Sequence, residues 1–305
     1  MAERFSYEPP WPSYSLAWCS RPELRVRLAV GSFENESSHI QVVDYNEETQ
    51  KLEVTAEAED QFPHTKLMWK PYVASDTSLP LLASTSTTLK LWRLEDGQLK
   101  LRSKLPNTRT QQGQSGAAPP LTSFDWSTVG PHKLGASSVD TTCTIWNLEK
   151  GKIETQLIAH DKAVYDFAFA STDSLFASVG ADGSVRVFDQ RNLDHSTIIY
   201  EASPPTPLLR LAWNKLNANY IATIAMDIPG VILIDVRRPS VALATLVYQE
   251  SCVNHIAWAP HSRDHLLCGT EDGFALIWDV KDASPTAPAK TEGKTEATPT
   301  PEPAT

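Results

Sequence analysis

Short apolar runs ending in an aromatic residue recur along the chain: SLAW (15–18), KLMW (66–69), SFDW (123–126), FAF (167–169), RLAW (210–213) and HIAW (255–258). The closing aromatics, Trp18, Trp69, Trp126, Phe169, Trp213 and Trp258, are separated by 51, 57, 43, 44 and 45 residues. Between them lie further short stretches rich in β-branched and aromatic residues and bounded by turn residues, such as SVRVFD (184–189), GVILID (230–235) and FALIWD (274–279). That pattern predicts strands. Each unit therefore reads as four short strands. A lone four-stranded unit cannot bury both faces of its sheet, whereas radial repetition lets each blade cover its neighbour, so a period of this length predicts an all-β propeller.

The first unit is expected to hold strands near 14–18, 25–33, 39–45 and 51–57, and the second near 64–69, 80–85, 88–94 and 98–105. The third covers about 121–158, the fourth 163–201 and the fifth 207–248. The sixth begins at 252, and its third strand ends near Asp279. The propeller thus spans 1–280. Residues 107–120, NTRTQQGQSGAAPP, are polar, bear Gly and Pro and have no periodicity, which predicts a mobile loop. From 281 to 305 the chain is rich in Pro, Thr, Ala and Glu, without aromatic or branched aliphatic side chains. Such a segment buries too little surface to offset its ordering entropy, so a disordered tail is expected.

Composition narrows the classes of function. The net charge of −10 disfavours generic nucleic-acid binding, which depends on neutralising phosphates. No apolar run is long enough for a membrane-spanning helix, and MAERFSYEPP lacks the pattern of a signal peptide. The four cysteines, Cys19, Cys143, Cys252 and Cys268, lie far apart with no CxxC pair, which fits a reducing intracellular setting.

Aspartates recur where the second and third strands of a unit meet: Asp140, Asp182, Asp227 and Asp272. Two of them form the tight-turn pairs Asp182-Gly183 and Asp272-Gly273. The third strands end in IWN (145–147), VFD (187–189), LID (233–235) and IWD (277–279). In these features the chain resembles WD40 repeats. The resemblance implies a structural network in the fourth unit, with His160 bonding Asp182 and Ser178 linking onward. The family's usual Trp on the third strand is Phe188 here. A His-Asp-Ser set also has the composition of a catalytic triad, but no GxSxG nucleophile turn occurs, and the set reads as a blade staple rather than an enzyme site.

Longer strings narrow the match. TKLMW (65–69), LTSFDW (121–126), SSVDTTCTIW (137–146), TQLIAHDKAVYD (155–166), FASVGADGSVR (176–186), LLRLAWNK (208–215) and NHIAWAPH (254–261) resemble one WD40 family. It comprises the plant Transparent Testa Glabra and anthocyanin-regulator proteins and their animal cullin-ligase-associated counterpart, a binder of DYRK and HIPK kinases. The resemblance implies a non-catalytic scaffold in cytoplasm and nucleus, without cofactor or metal. Its implied partners are such kinases and transcription regulators. The alternative it implies is a substrate receptor of a cullin–RING ubiquitin ligase.

That family has seven blades, and the low-complexity tail stands where the seventh repeat is expected. Either the N-terminal stretch 4–9, RFSYEP, supplies the fourth strand of the sixth unit and closes a six-bladed ring, or the last blade of a seven-bladed ring is missing. The side-chain resemblance to a seven-fold ring favours the second.

Two surfaces are candidates for binding proteins. Asp189-Gln190-Arg191 and Asp235-Val236-Arg237 are consecutive Asp-x-Arg corners. They resemble the box with which ligase substrate receptors meet their adaptor, with Phe188 and Ile234 in place of the family's Trp. Local pairing of each Asp with its Arg is the plainer reading. The second set is Ser15, Lys66, Ser123, Asp166, Arg210 and His255, each three positions before a strand-ending aromatic. By repeat symmetry they sit at equivalent heights. With Tyr165 they either line a partner-binding mouth or pair with one another.

Overall fold

The computed structural model describes residues 5–24, 26–34, 37–73, 79–107, 119–281, 283 and the main chain of 290–296. Among the described residues every regular element is a strand, and the strands form six four-stranded meanders. Sheet 1 is β1 (Ser13–Trp18), β2 (Arg27–Ser32), β3 (Ser38–Asn46) and β4 (Lys51–Asp60). Sheet 2 is β5 (Lys66–Trp69), β6 (Leu81–Thr85), β7 (Leu89–Glu95) and β8 (Gln98–Leu105). Sheet 3 is β9 (Leu121–Trp126), β10 (Lys133–Ser138), β11 (Thr142–Asn147) and β12 (Lys152–Ile158). Sheet 4 is β13 (Val164–Phe169), β14 (Leu175–Gly180), β15 (Ser184–Asp189) and β16 (Asn192–Glu201). Sheet 5 is β17 (Leu208–Trp213), β18 (Tyr220–Ala225), β19 (Val231–Asp235) and β20 (Ala242–Leu246). Sheet 6 is β21 (Val253–Trp258), β22 (His265–Thr270), β23 (Phe274–Asp279) and β24 (Lys290–Glu296). These are the blades of the expected all-β class. Sheets 1–3 belong to one compact unit and sheets 4–6 to another, with the boundary falling between 140 and 157. Among the described residues, no helix is long and apolar enough to cross a membrane.

Turn chemistry sets the hairpins. Asp96 and Gly97 both have positive φ, 52° and 71°, as a two-residue hairpin turn matching the strand twist requires. Gly183 turns at φ 80°, with Thr206 O only 2.8 Å from where a Cβ would stand, so both backbone and space demand glycine.

The alternation of buried and exposed positions places the core between sheets. In the first unit, Ala17, Ala29 and Val42 of sheet 1 meet Leu67, Trp69, Leu82 and Trp92 of sheet 2. In the second, Ala168, Ala177 and Val185 of sheet 4 meet Leu211, Trp213 and Ile221 of sheet 5. Ala222 and Leu233 of sheet 5 then meet Ile256, Leu266 and Trp278 of sheet 6. The earlier sheet of each pair tends to offer smaller residues and the later one larger residues, so the two faces complement each other in size. Two indoles also bond across these junctions: Trp69 Nε1 donates to Ala17 O at 3.2 Å, and Trp258 Nε1 to Ala212 O at 3.0 Å.

One expectation needs correction, and one of two alternatives falls. The segment from 281 was expected to be disordered, yet 290–296, KTEGKTE, forms β24 and pairs with β23 from Phe274↔Glu296 to Asp279↔Lys290. Ladder hydrogen bonds come from the main chain, so an edge strand forms without apolar side chains once β23 offers unpaired N–H and C=O groups. The fourth strand of sheet 6 therefore comes from the C-terminal side; residues 5–9 of the stretch RFSYEP are not a strand. The loop expected over 107–120 lies outside the described residues at 108–118; at its start Asn107 is buried, and its Oδ1 accepts from Thr144 Oγ1 at 2.8 Å.

Candidate interaction surfaces and blade networks

The loop between β12 and β13 carries His160 into the interior of the second unit, where it is buried. Its Nδ1 lies 2.9 and 3.0 Å from the two oxygens of Asp182, and its Nε2 lies 2.8 Å from Ser178 Oγ. Ser184 Oγ donates to Asp182 Oδ1 at 2.9 Å, and the Ser184 amide donates to the same oxygen at 3.1 Å. Arg186 Nη2 bridges Asp182 Oδ2 at 3.0 Å and Asp161 Oδ2 at 2.7 Å. Burial alone would raise the Asp182 carboxyl, but the His160 hydrogen bond and charge and the Ser184 donors outweigh it and hold the pKa far below the carboxylate range. Gly180 makes the arrangement possible, since a Cβ there would stand 2.8 Å from Ala163 O and 3.2 Å from the His160 ring. Every oxygen and nitrogen of the His-Asp-Ser set is thus engaged in holding the blade, as a staple requires.

Sequence reasoning stopped this network at Phe188. The structure shows why no indole is needed: Phe188 stacks on Phe176 (4.9 Å, 9°), and Phe176 stacks on Phe167 (4.9 Å, 22°). The indole link exists elsewhere. In sheet 2, Trp92 Nε1 donates to Ser84 Oγ at 2.8 Å, and in sheet 6, Trp278 Nε1 donates to Cys268 Sγ at 3.2 Å.

Sheet 2 also holds a cluster that sequence reasoning missed. His64 is fully buried, edge-on to the Trp92 ring (6.3 Å, 86°). Its Nε2 lies 3.7 Å from Asp60 Oδ2, which accepts from buried Lys90. Both His64 ring nitrogens lack a hydrogen-bond partner. Burial, reinforced by the Lys90 charge and opposed by Asp60, lowers its pKa to about 4. An unfolded chain takes up this proton near pH 6.5, whereas the folded chain resists until about pH 4. Stability is therefore lost as pH falls through that window, by on the order of 3 kcal/mol at its foot. His64→Leu is expected to flatten the curve there, measured as the urea midpoint at about pH 7 and about pH 4.5. An unchanged slope would assign the acid sensitivity to other groups.

The remaining turn aspartates do not repeat the His160 arrangement, because no histidine precedes their sheets. The Asp140 amide bonds Ser138 Oγ at 3.4 Å. Asp272 accepts from Thr270 Oγ1, and its amide bonds Ser251 Oγ at 3.3 Å. Asp227 is exposed in a left-handed turn at φ 56° and joins no side-chain network among the described residues.

The two Asp-x-Arg corners adopt one geometry. Arg191 Nε donates to Asp189 Oδ1 at 2.9 Å and Nη2 to Oδ2 at 2.6 Å. Arg237 repeats this on Asp235 at 2.9 and 2.7 Å. The Arg191 hydrogen bonds pull the Asp189 pKa down to about 2, and those of Arg237 lower that of Asp235. The guanidinium side chains are 74% and 61% exposed, so each is held by its own Asp while its other donors face solvent. The cleft beside Asp235, lined by Arg238, Val241 and Leu243, has a volume of only about 140 Å³. That is below the size of small-molecule sites.

The polar positions at the strand starts share a feature invisible in the sequence. In five sheets a register irregularity falls at the second residue of the first strand, at Tyr14, Thr122, Tyr165, Leu209 and Asn254. The next residue is in each case the candidate: Ser15, Ser123, Asp166, Arg210 and His255. A bulge re-aims the side chain beside it. In the first unit, Lys66 Nζ donates to Ser123 Oγ at 3.1 Å, linking two equivalent positions. In the second, Asp166 is buried and its Oδ2 accepts the Leu211 amide at 2.8 Å, next to Arg210, whose Nη1 donates to Leu209 O. His255 is exposed and Tyr165 half-buried. Neighbour pairing thus involves Lys66 and Asp166, and of this set His255 is the side chain most open to solvent.

Comparison with known proteins agrees with this architecture. Residues 151–189 and 241–279 match the family described as WD domain, G-beta repeat. The chain is similar to a DDB1- and CUL4-associated factor 7 homolog of Dictyostelium discoideum, 50% identical over 279 residues, covering 90% of this chain and 84% of the relative. It is 37% identical to an uncharacterised WD repeat-containing protein of Schizosaccharomyces pombe, covering 97% of this chain and 74% of the relative. A WD repeat-containing protein of Saccharomyces cerevisiae is 33% identical, and the match spans 58% of its length. With half of its residues shared over most of both lengths, the chain belongs to the WD40-repeat family that includes the DDB1- and CUL4-associated factor 7 homolog.

Proposed function

We propose that this chain is a non-catalytic scaffold for protein–protein interaction and that the corner bearing Arg191 and Arg237 docks the adaptor of a cullin–RING ubiquitin ligase. The observation that carries the reading is the pair of identical, exposed, Asp-braced guanidinium groups on consecutive sheets. An arginine already fixed by its neighbour loses little side-chain entropy on binding, and its remaining donors suit carbonyls and carboxylates of a partner. The name of the Dictyostelium relative, a DDB1- and CUL4-associated factor, supports the same class of partner.

A second reading concerns what the scaffold carries. The bulge-directed residues Arg210 and His255, with Tyr165, favour a further protein partner on the strand-start side of the second unit. By resemblance to the plant and animal relatives, that partner is a DYRK- or HIPK-type kinase or a transcription regulator, met in cytoplasm and nucleus.

Affinity purification from the chain's own cells with quantitative mass spectrometry tests both readings. In the Arg191→Ala/Arg237→Ala variant, recovery of the ligase adaptor is expected to fall about tenfold or more, with kinase recovery unchanged. Equal adaptor recovery from both proteins would remove the corner from the interface. Absence of any kinase or transcription regulator would remove the second reading.

A further inference from the structure

Each sheet ends in a fourth strand whose far edge has no neighbouring strand among the described residues: β4, β8, β12, β16, β20 and β24. Such an edge is a template for pairing with another chain, and charged side chains are a common protection. Five of the six carry it. β4 bears five acidic or basic residues, β8 three, β12 two, β16 two and β24 four. β20, ALATL, bears none, and neither does any residue from Pro239 to Gln249. A register irregularity does not set β20 apart, since the pairings of β4, β8, β16 and β24 each have one as well. The strand is firmly held: Leu243 and Leu246 are buried in the core shared with sheet 6, and the Ser240 amide donates to Ile199 O at 2.8 Å. Its margin is apolar, with Val241 61% and Val247 53% exposed and Thr245 open between them.

We propose that β20 pairs edge to edge with β20 of a second copy of this chain, antiparallel and centred on Ala244. The main-chain donors and acceptors of an edge are met by another extended strand, and the sequence around β20 is complementary to itself. A two-fold axis at Ala244 sets Val241 of each copy opposite Val247 of the other, so the exposed valines cover one another at both ends of the ladder. Beyond the uncharged stretch, Arg237 and Arg238 precede it and Glu250 follows it, all exposed. Arg238 lines the cleft beside Val241 and so stands at the margin of the edge. Antiparallel pairing brings the basic flank of one copy to the acidic flank of the other, twice. Parallel pairing would bring like charges together. Because both copies offer the same patch, the contact is isologous and closes at two. A short ladder with two valine pairs is smaller than the interface of a permanent dimer, so the association is weak and depends on concentration.

Sedimentation velocity of the full chain over a concentration series tests this. The wild type is expected to pass from monomer to dimer and no further. Thr245→Lys, which gives β20 the kind of residue the other outer strands carry, is expected to stay monomeric. Arg238→Glu and Glu250→Arg each place like charges at both ends of the pair, and each should raise the concentration of half-dimerisation by about tenfold. Their equimolar mixture is expected to recover association as a heterodimer, since each end then joins an acid to a base. That recovery also shows that both variants are folded. In the wild type, amide exchange in β20 should slow as concentration rises. A wild type that stays monomeric throughout, or a Thr245→Lys protein that dimerises equally well, would overturn the proposal. So would a mixture that associates no better than either charge variant alone, because the strands would then not meet in antiparallel register.

Discussion

Asp182→Ala is expected to lower the stability of the second unit by about 3 kcal/mol, because it strands the buried His160 ring and removes an acceptor from both Ser184 and Arg186. Asp182→Asn keeps the shape and one acceptor oxygen and should cost less. The two changes separate charge from geometry. The pH signature is also distinct. The Asp182 pKa is lowered in the fold, so its contribution is fully present above the unfolded value near 3.8 and is lost as pH falls below it. His64 acts over the window above about pH 4, so the acid limb of stability should show two steps on different sheets. Hydrogen exchange is the suited measurement. Faster exchange in β13–β16 and the adjoining sheet 5, with sheets 1–3 unchanged, is the expected outcome. Uniform acceleration across all six sheets would show that the network is not local.

Phe176→Ala is expected to be at least as severe, at about 3–5 kcal/mol. The ring is fully buried between Phe167 and Phe188, so truncation leaves a cavity with an aromatic wall on either side. Neighbours held in β13 and β15 by ladder bonds cannot collapse into it, as the pairs Phe169↔Phe176 and Phe176↔Phe188 fix their spacing. Phe176→Leu refills most of the space and should recover more than half of the loss. Thermal unfolding of the three proteins at one pH checks the order. A Phe176→Ala protein as stable as the leucine variant would mean that the stack relaxes.

The strands were legible because each is short and half-buried, so apolar side chains mark one face and turn residues mark the ends. All 23 strands up to β23 lie within the six units read from the aromatic spacing. The His160–Asp182–Ser178 set was legible because its three members occupy fixed places within one repeat. Its extension to Ser184 and Arg186 was not, since polar residues on a third strand look like its solvent face. The His64 cluster was hidden because the turn in sheet 2 is shorter and carries no aspartate; Lys90 and Asp60 reach in from other strands. The bulges had no signature at all: Tyr14, Thr122, Tyr165, Leu209 and Asn254 share no chemistry, and the irregularity lies in the main chain. The edge strand β24 escaped for a related reason. Its ladder does not depend on the side chains by which a strand is recognised.

The indole bonds of Trp69 and Trp258 give the stack of sheets a direction. In both, the later repeat donates and the earlier one accepts through a main-chain carbonyl that any residue could supply. A duplicated repeat inserted at such a junction would find its acceptor upstream and offer a carbonyl downstream, so neither neighbour needs a compensating substitution. A repeat moved in reverse orientation would leave two donors facing each other. Growth of such a chain by tandem copying is thus chemically neutral at its joints, while the outer strands and turns of each copy remain free to diverge into different contacts.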